Sequence, residues 1–285
     1  MKKVLVTGAS GFIGNYVVPE LLKSGCYVIA SSMHKSGISQ ENWLNRIVYI
    51  PLDFGQFDPA INYFEYFQRP DLMIHLAWEG LPNYKSSFHI EENLPRHIHL
   101  LDNIIRNGLK DLTVTGTCLE YGMQEGLLEE NMQVFPANAY AIAKNEMRRS
   151  LEALQTKYRF LLKWVRLFYI YGKKQNPNSL LSQLDKALED NRPVFNMSGG
   201  DQVRDYLPIE KVAQYLVKIA LQDRVLGVIN CCSGQPITIK QFVNEYLLKI
   251  NKAISLNFGY YPYPDYEPMY FWGDNSKLKT ILENE

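Results

Sequence analysis

Through the first two thirds of the chain, short apolar runs alternate with longer stretches whose apolar positions recur every three or four residues. This is the pattern of repeated strand–helix–strand units around a parallel sheet. Strands are expected at Lys3–Thr7, Tyr27–Ser31, Ile47–Leu52, Leu72–Ala77, Leu112–Thr115 and Phe160–Leu167. Several are apolar throughout, as strands covered on both faces must be. One helix is expected from about Phe12 to Lys23, closed by Gly25, and a second carries Leu94, Ile98, Leu101 and Ile105 before Gly108 ends it. A third is expected from about Ala139 to Lys157. After Gly172 the texture changes to a helix near Leu180–Glu189, short strands, and the late segment GYYPYPDYEPMYFW. The prolines of that segment oppose regular structure, so its rings are expected to cover the core, with a ligand-facing role as the alternative. The fold class that follows is α/β, a doubly wound parallel sheet over residues 1–171 with a smaller C-terminal α/β unit over residues 172–285. The stretch near residues 204–221 is allowed to return to the first unit.

Composition narrows the function classes. The 285 residues are 46% hydrophobic, which excludes disorder, and 30 Lys+Arg balance 30 Asp+Glu. A chain without net charge has no global field to attract phosphate backbones or anionic lipid, so nucleic acid is not an expected partner. The basic start MKKVLVTG resembles a signal peptide only briefly, because its apolar run breaks at Thr7 and Gly8. No stretch reaches the roughly 18 apolar residues of a membrane span, and a cytoplasmic location without membrane partners is expected. Cys26, Cys118, Cys231 and Cys232 have neither zinc-site spacing nor disulfide-scaffold density. They read as reduced core thiols, and no metal is expected.

The first strand runs straight into Gly8-Ala9-Ser10-Gly11-Phe12-Ile13-Gly14, where a helix begins. In such a turn the first glycine permits a tight reversal, the second lets backbone approach a diphosphate, and the third allows close helix–strand packing. Free N–H groups at the helix start then face the phosphates. A dinucleotide site is therefore expected here. The second strand ends Ala30-Ser31-Ser32-Met33-His34-Lys35, with no carboxylate to accept from a ribose 2′-hydroxyl. Ser31, Ser32 and Lys35 suit a 2′-phosphate, which favours NADP(H) over NAD(H); a polar loop with a solvated lysine is the plainer alternative. Asp53, followed by Phe54, ends the third strand, where its carboxylate either accepts from the adenine amino group or caps the next turn.

Tyr140 and Lys144 stand four residues apart on a helix, which places both on one face. A phenol of pKa about 10 exchanges protons poorly at neutral pH, and lowering it by roughly 3 units needs about 4 kcal/mol of phenolate stabilisation. A neighbouring ammonium and a cationic nicotinamide supply it in this reading. The strand Leu112–Thr115 delivers Thr117 to the carboxyl end of the sheet, where ligands bind in open α/β folds. Thr117 could then hydrogen-bond the substrate oxygen that Tyr140 protonates.

Gly8–Gly14, His75-Leu76-Ala77, Asn93, Thr117 with Tyr121-Gly122, Tyr140/Lys144, the Arg166–Gly172 stretch and Arg204-Asp205-Tyr206 occur in order over nearly the whole chain. Together they resemble the extended short-chain dehydrogenase/reductase family, in its nucleotide-sugar epimerase, dehydratase and reductase branch. The resemblance implies a Rossmann-type fold, Tyr140 as general acid/base, Lys144 on the nicotinamide ribose, and Thr117 in place of the usual serine. It implies Leu76 and Ala77 in the cofactor cleft, Arg204 on the substrate diphosphate, and Phe195 stacked on the nucleotide base or held in the core. Arg204 could instead pair at the surface with Asp205.

The departures bear on the reaction. Tyr169 replaces an asparagine that touches the substrate diphosphate in many relatives, Trp78 narrows the sugar pocket, and Cys118-Leu119 replaces the acid pair of dehydratases. Dehydration is therefore disfavoured. Two readings remain, of which reduction of the C4 ketone of a nucleotide-linked 4-keto-6-deoxyhexose is preferred to NAD-dependent 4-epimerisation. A dinucleotide-binding regulator without chemistry is opposed by the intact Thr117, Tyr140 and Lys144. Relatives pair two helices from each subunit, so Ile98/Leu101/Ile105 and Met147/Leu151/Leu154 suggest a homodimer unless they face the sheet.

Overall fold

The structure is a computed structural model, and it describes residues 1–34 and 44–283. In chain order its first half contains β1 (Lys3–Thr7), α1 (Gly14–Lys23), β2 (Tyr27–Ser31), β3 (Val48–Tyr49), α2 (Tyr63–Tyr66), β4 (Leu72–His75), α3 (Leu94–Arg106) and β5 (Asp111–Thr117). There follow β6 (Gly126–Leu128), α4 (Ala139–Leu154), β7 (Leu161–Leu167), β8 (Tyr169–Tyr171), α5 (Leu180–Glu189), β9 (Val194–Asn196) and β10 (Val203–Pro208). The chain closes with α6 (Ile209–Leu221), β11 (Gly227–Cys231), β12 (Pro236–Thr238), α7 (Ile239–Lys249), β13 (Ser255–Asn257), β14 (Phe271–Gly273) and α8 (Ser276–Glu283).

Seven parallel strands form the main sheet in the order β11-β7-β5-β4-β1-β2-β3. Strand order reverses between β1 and β4, and in open sheets of this kind the crevice at that switch point receives ligands. Alternation along β1 explains its unbroken apolarity. Val4 and Val6 enter one buried layer with Val17, Leu21, Val212 and Leu216, while Leu5 enters the other with Leu101, Ile105, Met147 and Trp164. Of the stripes of α3 and α4 that suggested a dimer face, Leu101, Ile105, Met147 and Leu151 are buried in this layer, with Ile98 and Leu154 partly buried against it.

Three departures from the expected boundaries bear on the site. The third strand shrinks to Val48–Tyr49, because it lies at the sheet edge and Pro51 has no N–H to continue a ladder. The β5 ladder runs two residues past Thr115, pairing Gly116 with Arg166 and Thr117 with Leu167, so Thr117 is held by sheet and not by a loop. Leu76 and Ala77 fall just beyond β4, although Leu76 N still donates to Thr7 O at 3.1 Å.

Elements after Gly172 are shared between two places. α6 packs on α1, α8 packs on α6, and β11 pairs with β7. α5, α7 and β9 instead build a smaller apolar cluster around Leu184, Phe195, Met197, Phe242 and Val243. The three-stranded sheet β12-β10-β8 lies beside it, with Tyr206 of β10 stacked on Phe242 of α7 at 3.8 Å. The Tyr- and Pro-rich segment meets the expectation of a core cover only at Phe271, which is buried with Tyr121 and Phe168. Tyr260, Tyr261 and Tyr270 are exposed, and Tyr261, Pro262, Pro264 and Glu267 line a cavity. Only its end regains regular pairing, where Phe271–Gly273 lies parallel to β6. All four cysteines are buried and free. Among the described residues no helix is long and apolar enough to cross a membrane.

Candidate active site

At the switch point the glycine turn is forced by close approach. Gly8 has φ of +71°, and a Cβ there would lie 2.6 Å from Ala77 N; a Cβ on Gly14 would lie 2.4 Å from Gly8 O. Asn15 Nδ2 ties the turn by donating to Ser10 O and Gly11 O. Gly8, Gly11, Phe12, Ile13, Gly14 and Leu76 then form one wall of a cavity of about 440 Å³. Trp78, Thr117, Cys118, Tyr140 and Tyr169 belong to the same cavity. A bare backbone cradle open to a cavity of this size is what a diphosphate-bearing dinucleotide requires.

The ribose end is less uniform. Ser31 is buried at the end of β2, and its Oγ has no hydrogen-bond partner among the described residues. Ser32 Oγ is engaged, donating to His34 O at 3.0 Å and lying 3.1 Å from Tyr49 Oη. Lys35 lies outside the described residues. Asp53 takes the capping role, accepting from Gly55 N at 2.8 Å, and it also borders a cavity with Met33, His34 and Leu52. The Phe54 ring stacks on His75 at 6.0 Å and meets His97 edge-on at 4.9 Å.

Opposite the cradle, β5 presents Thr117 in a turn fixed from below. Thr117 Oγ1 accepts from Leu119 N at 3.2 Å, while Glu120 Oε1 accepts from Thr117 N at 2.9 Å. Glu120 is fully buried and also accepts from Trp164 Nε1 at 3.0 Å and from Arg166 Nε at 2.9 Å. A Cβ on Gly116 would sit 2.2 Å from that indole nitrogen, so this crossing needs glycine. Glu120 was not among the residues expected in the site, although the Thr117-x-x-Glu120 spacing is a legible capping pattern.

Asn138 caps α4 by accepting from Ala141 N at 2.9 Å, which sets Tyr140 and Lys144 on the buried face. The Tyr140 ring lies among Trp78 (5.9 Å), Tyr84 (5.6 Å) and His89 (5.4 Å). Burial pushes its phenol pKa up, Tyr84, Glu120 and Cys118 push it further, and a hydrogen bond to Thr117 opposes them. Lys144 lies on the same buried face of α4 as Tyr140. Its Nζ donates to Thr115 O at 2.8 Å and sits 4.2 Å over the Trp78 ring. Burial lowers its pKa to about 7, against the attraction of Glu120. The phenol is therefore a protonated acid in the free protein.

Trp78 is itself oriented. Its Nε1 donates to His89 Nδ1 at 3.2 Å, so His89 Nε2 carries the proton and donates to Asn83 O at 3.0 Å. Asn93 Nδ2 holds the following turn through Glu79 O at 2.9 Å. His75 and His97 stay neutral, because burial and Lys144 lower His75 to about 3 and burial lowers His97 well below its usual range.

A second cavity of about 640 Å³ adjoins the first, sharing Tyr84, Tyr169, Ile170, Gln175 and Glu267, and Phe195 lies in its wall. Arg204 lines neither. It is buried against Phe271 (4.6 Å) and Tyr169 (5.6 Å), with Nη1 donating to Val203 O and Met269 O, Nε to Tyr169 Oη, and Nη2 to Glu267 Oε2 at 3.0 Å. Its neighbour Asp205 is occupied elsewhere, accepting from Ser233 N, Ser233 Oγ and Gly234 N. Tyr84 and Glu267 were absent from the residues expected in the site; no local signal marks either one.

A doubly wound sheet whose glycine cradle and acid tyrosine share one cavity defines a nicotinamide-dependent enzyme of the extended short-chain dehydrogenase/reductase type, the branch that acts on nucleotide sugars. The chain belongs to the NAD dependent epimerase/dehydratase family, whose profile matches residues 4–232. It is 28% identical over 275 residues to the dTDP-6-deoxy-L-talose 4-dehydrogenase (NAD(+)) of Aggregatibacter actinomycetemcomitans, covering 95% of this chain and 98% of that one. It is 26% identical to a UDP-glucuronate 4-epimerase of Thermodesulfobacterium geofontis (strain OPF15), covering 99% and 90%. Among solved structures, the UDP-glucuronic acid 4-epimerase of Bacillus cereus in complex with NAD shares the fold, with a TM-score of 0.83 at 23% identity, over 99% of this chain and 93% of that one.

Proposed function

We propose that this enzyme transfers a hydride between C4 of a nucleotide-linked 6-deoxyhexose and a nicotinamide dinucleotide, with the 4-keto sugar as the oxidised partner. The observation that carries the reading is that Tyr140 and Thr117 face the same cavity as the Gly8–Gly14 cradle. When bound, the dinucleotide gives or takes the hydride at C4. In the reducing direction Tyr140 donates its proton to the C4 oxygen while Thr117 holds that oxygen; in oxidation Tyr140 takes the hydroxyl proton back. Trp78 and Tyr169 border the sugar, and Phe195 serves the base. Leu81, Pro82 and Leu119 give the cavity an apolar lining suited to a methyl group at C6.

Of the hydroxyls expected to hold a 2′-phosphate, only Ser31 is free, and it is buried. With Ser32 committed to His34 and Tyr49, one donor serves a ribose hydroxyl as readily as a phosphate. The 4-dehydrogenase noted above is named for NAD(+). These facts shift the choice from NADP(H) to NAD(H).

The test is an absorbance record near ~340 nm while candidate nucleotide sugars are added with NAD(H) or NADP(H). Stoichiometric change with a 6-deoxyhexose supports the reading. Copurified NAD with epimer formed and no net change overturns it in favour of 4-epimerisation.

A further inference from the structure

Arg204 is expected to grip a diphosphate, yet its guanidinium is sealed below the cavity wall. What faces both cavities is Glu267, and among the described residues it is the one charged side chain lining either of them. Its carboxylate takes Arg204 Nη2 at 3.0 Å, and Tyr169, which accepts from Arg204 Nε, shares a hydrogen bond with it. A carboxylate and a phosphate present the same kind of oxygen pair to a guanidinium fork, so the two compete for one partner. An entering diphosphate would otherwise meet Glu267 as the one charge lining the cavities, with no lining cation beside it among the described residues.

Glu267 is also carried by a stretch with few backbone hydrogen bonds to the rest of the fold. It lies between Pro264 and Pro268, outside any helix or strand. The stretch is attached at its ends, through Tyr260 N to Met197 O on one side and Met269 O to Val203 N on the other. Between them Tyr261 N also donates to Met197 O, Pro268 is buried, and the remaining ties include Tyr263 Oη to Asp201 at 3.2 Å, Lys85 with Asp265 at 2.8 Å and the Tyr84–Tyr266 ring contact.

We propose that Glu267 occupies Arg204 as an internal stand-in for the substrate diphosphate, and that a nucleoside diphosphate group binds by displacing it. Glu267 thus sets the affinity for the phosphate part of the substrate and leaves the base and sugar contacts alone. This rests on the nucleotide-sugar reading above.

Calorimetry with dTDP and UDP, and with thymidine and uridine as phosphate-free controls, tests the proposal on the full chain. Glu267→Gln should bind the diphosphates about tenfold more tightly than the wild type while nucleoside affinity is unchanged, because only the phosphate competes with the lost charge. Glu267→Asp, a shorter carboxylate that keeps the buried charge balanced, should move the same way by a smaller factor and covers the case in which Glu267→Gln folds poorly. Equal or weaker diphosphate binding by the variants, with the wild type binding normally, overturns the stand-in and leaves the nucleotide-sugar reading intact. If wild type and variants all ignore diphosphates and nucleosides, the nucleotide-sugar reading itself fails and the stand-in falls with it.

Discussion

Lys144→Met changes how stability depends on pH, and the size of the change follows from where the ammonium sits. Lys144 is 2% exposed and burial lowers its pKa from 10.5 to about 7. The unfolded chain therefore holds more protons than the folded one between those two values, and stability rises with pH across that window. At pH 7 the difference is about half a proton, and by pH 9 it is close to one; integrating between them gives about 2 kcal/mol of added stability at pH 9. Methionine has a similar length and no proton to lose, so Lys144→Met lacks this increment. Urea unfolding at pH 7, 8 and 9 on both proteins isolates it, since every other titrating group is common to the pair. The wild type should gain about 2 kcal/mol relative to the variant over that range. Parallel pH profiles would refute a desolvated Lys144, and a wild-type profile that falls relative to the variant would reverse the sign of the argument.

Other consequences are equally direct. Gly14→Ala puts a Cβ 2.4 Å from Gly8 O, where neither backbone can yield, so thermal unfolding should show a loss of about 1–3 kcal/mol and dinucleotide titration a large loss of affinity. Glu120→Gln leaves the buried Arg166 guanidinium without its counter-charge and should cost about 3–5 kcal/mol by denaturant unfolding, with turnover falling as Thr117 loses its support. Ser31→Asp places a carboxylate at the end of β2, and should raise the KM for NADPH at least about tenfold while leaving that for NADH within about threefold.

What the sequence made legible was local. The apolar runs inside Lys3–Thr7 and Tyr27–Ser31 placed both strands to the residue, because strands buried on two faces carry no alternating polar positions. Gly8 and Gly14 were readable for the same reason, since each answers to a backbone only a few residues or one strand away. The spacing of Tyr140 and Lys144 correctly gave a shared helix face. It did not say which neighbour the ammonium would reach, and Thr115 O with the Trp78 ring lies 29 and 66 positions distant along the chain. Arg204 was visible as a candidate, but its burial depends on Glu267, 63 residues further on and in a segment whose prolines erase any periodic signal. The same prolines explain why its rings were expected on the core, whereas Phe271 alone is buried there, Tyr261 borders the cavity, and Tyr260 and Tyr270 are exposed.

The central claim is that the Tyr140 phenol carries the C4 proton within the cavity that holds the dinucleotide. Removing a single oxygen, in Tyr140→Phe, tests it with little change of shape. Stopped-flow absorbance with saturating dinucleotide and a nucleotide-linked 6-deoxyhexose should show hydride transfer slowed by roughly 10²–10⁴-fold, with dinucleotide affinity within about threefold of the wild type. Transfer at the wild-type rate in that variant would contradict the account.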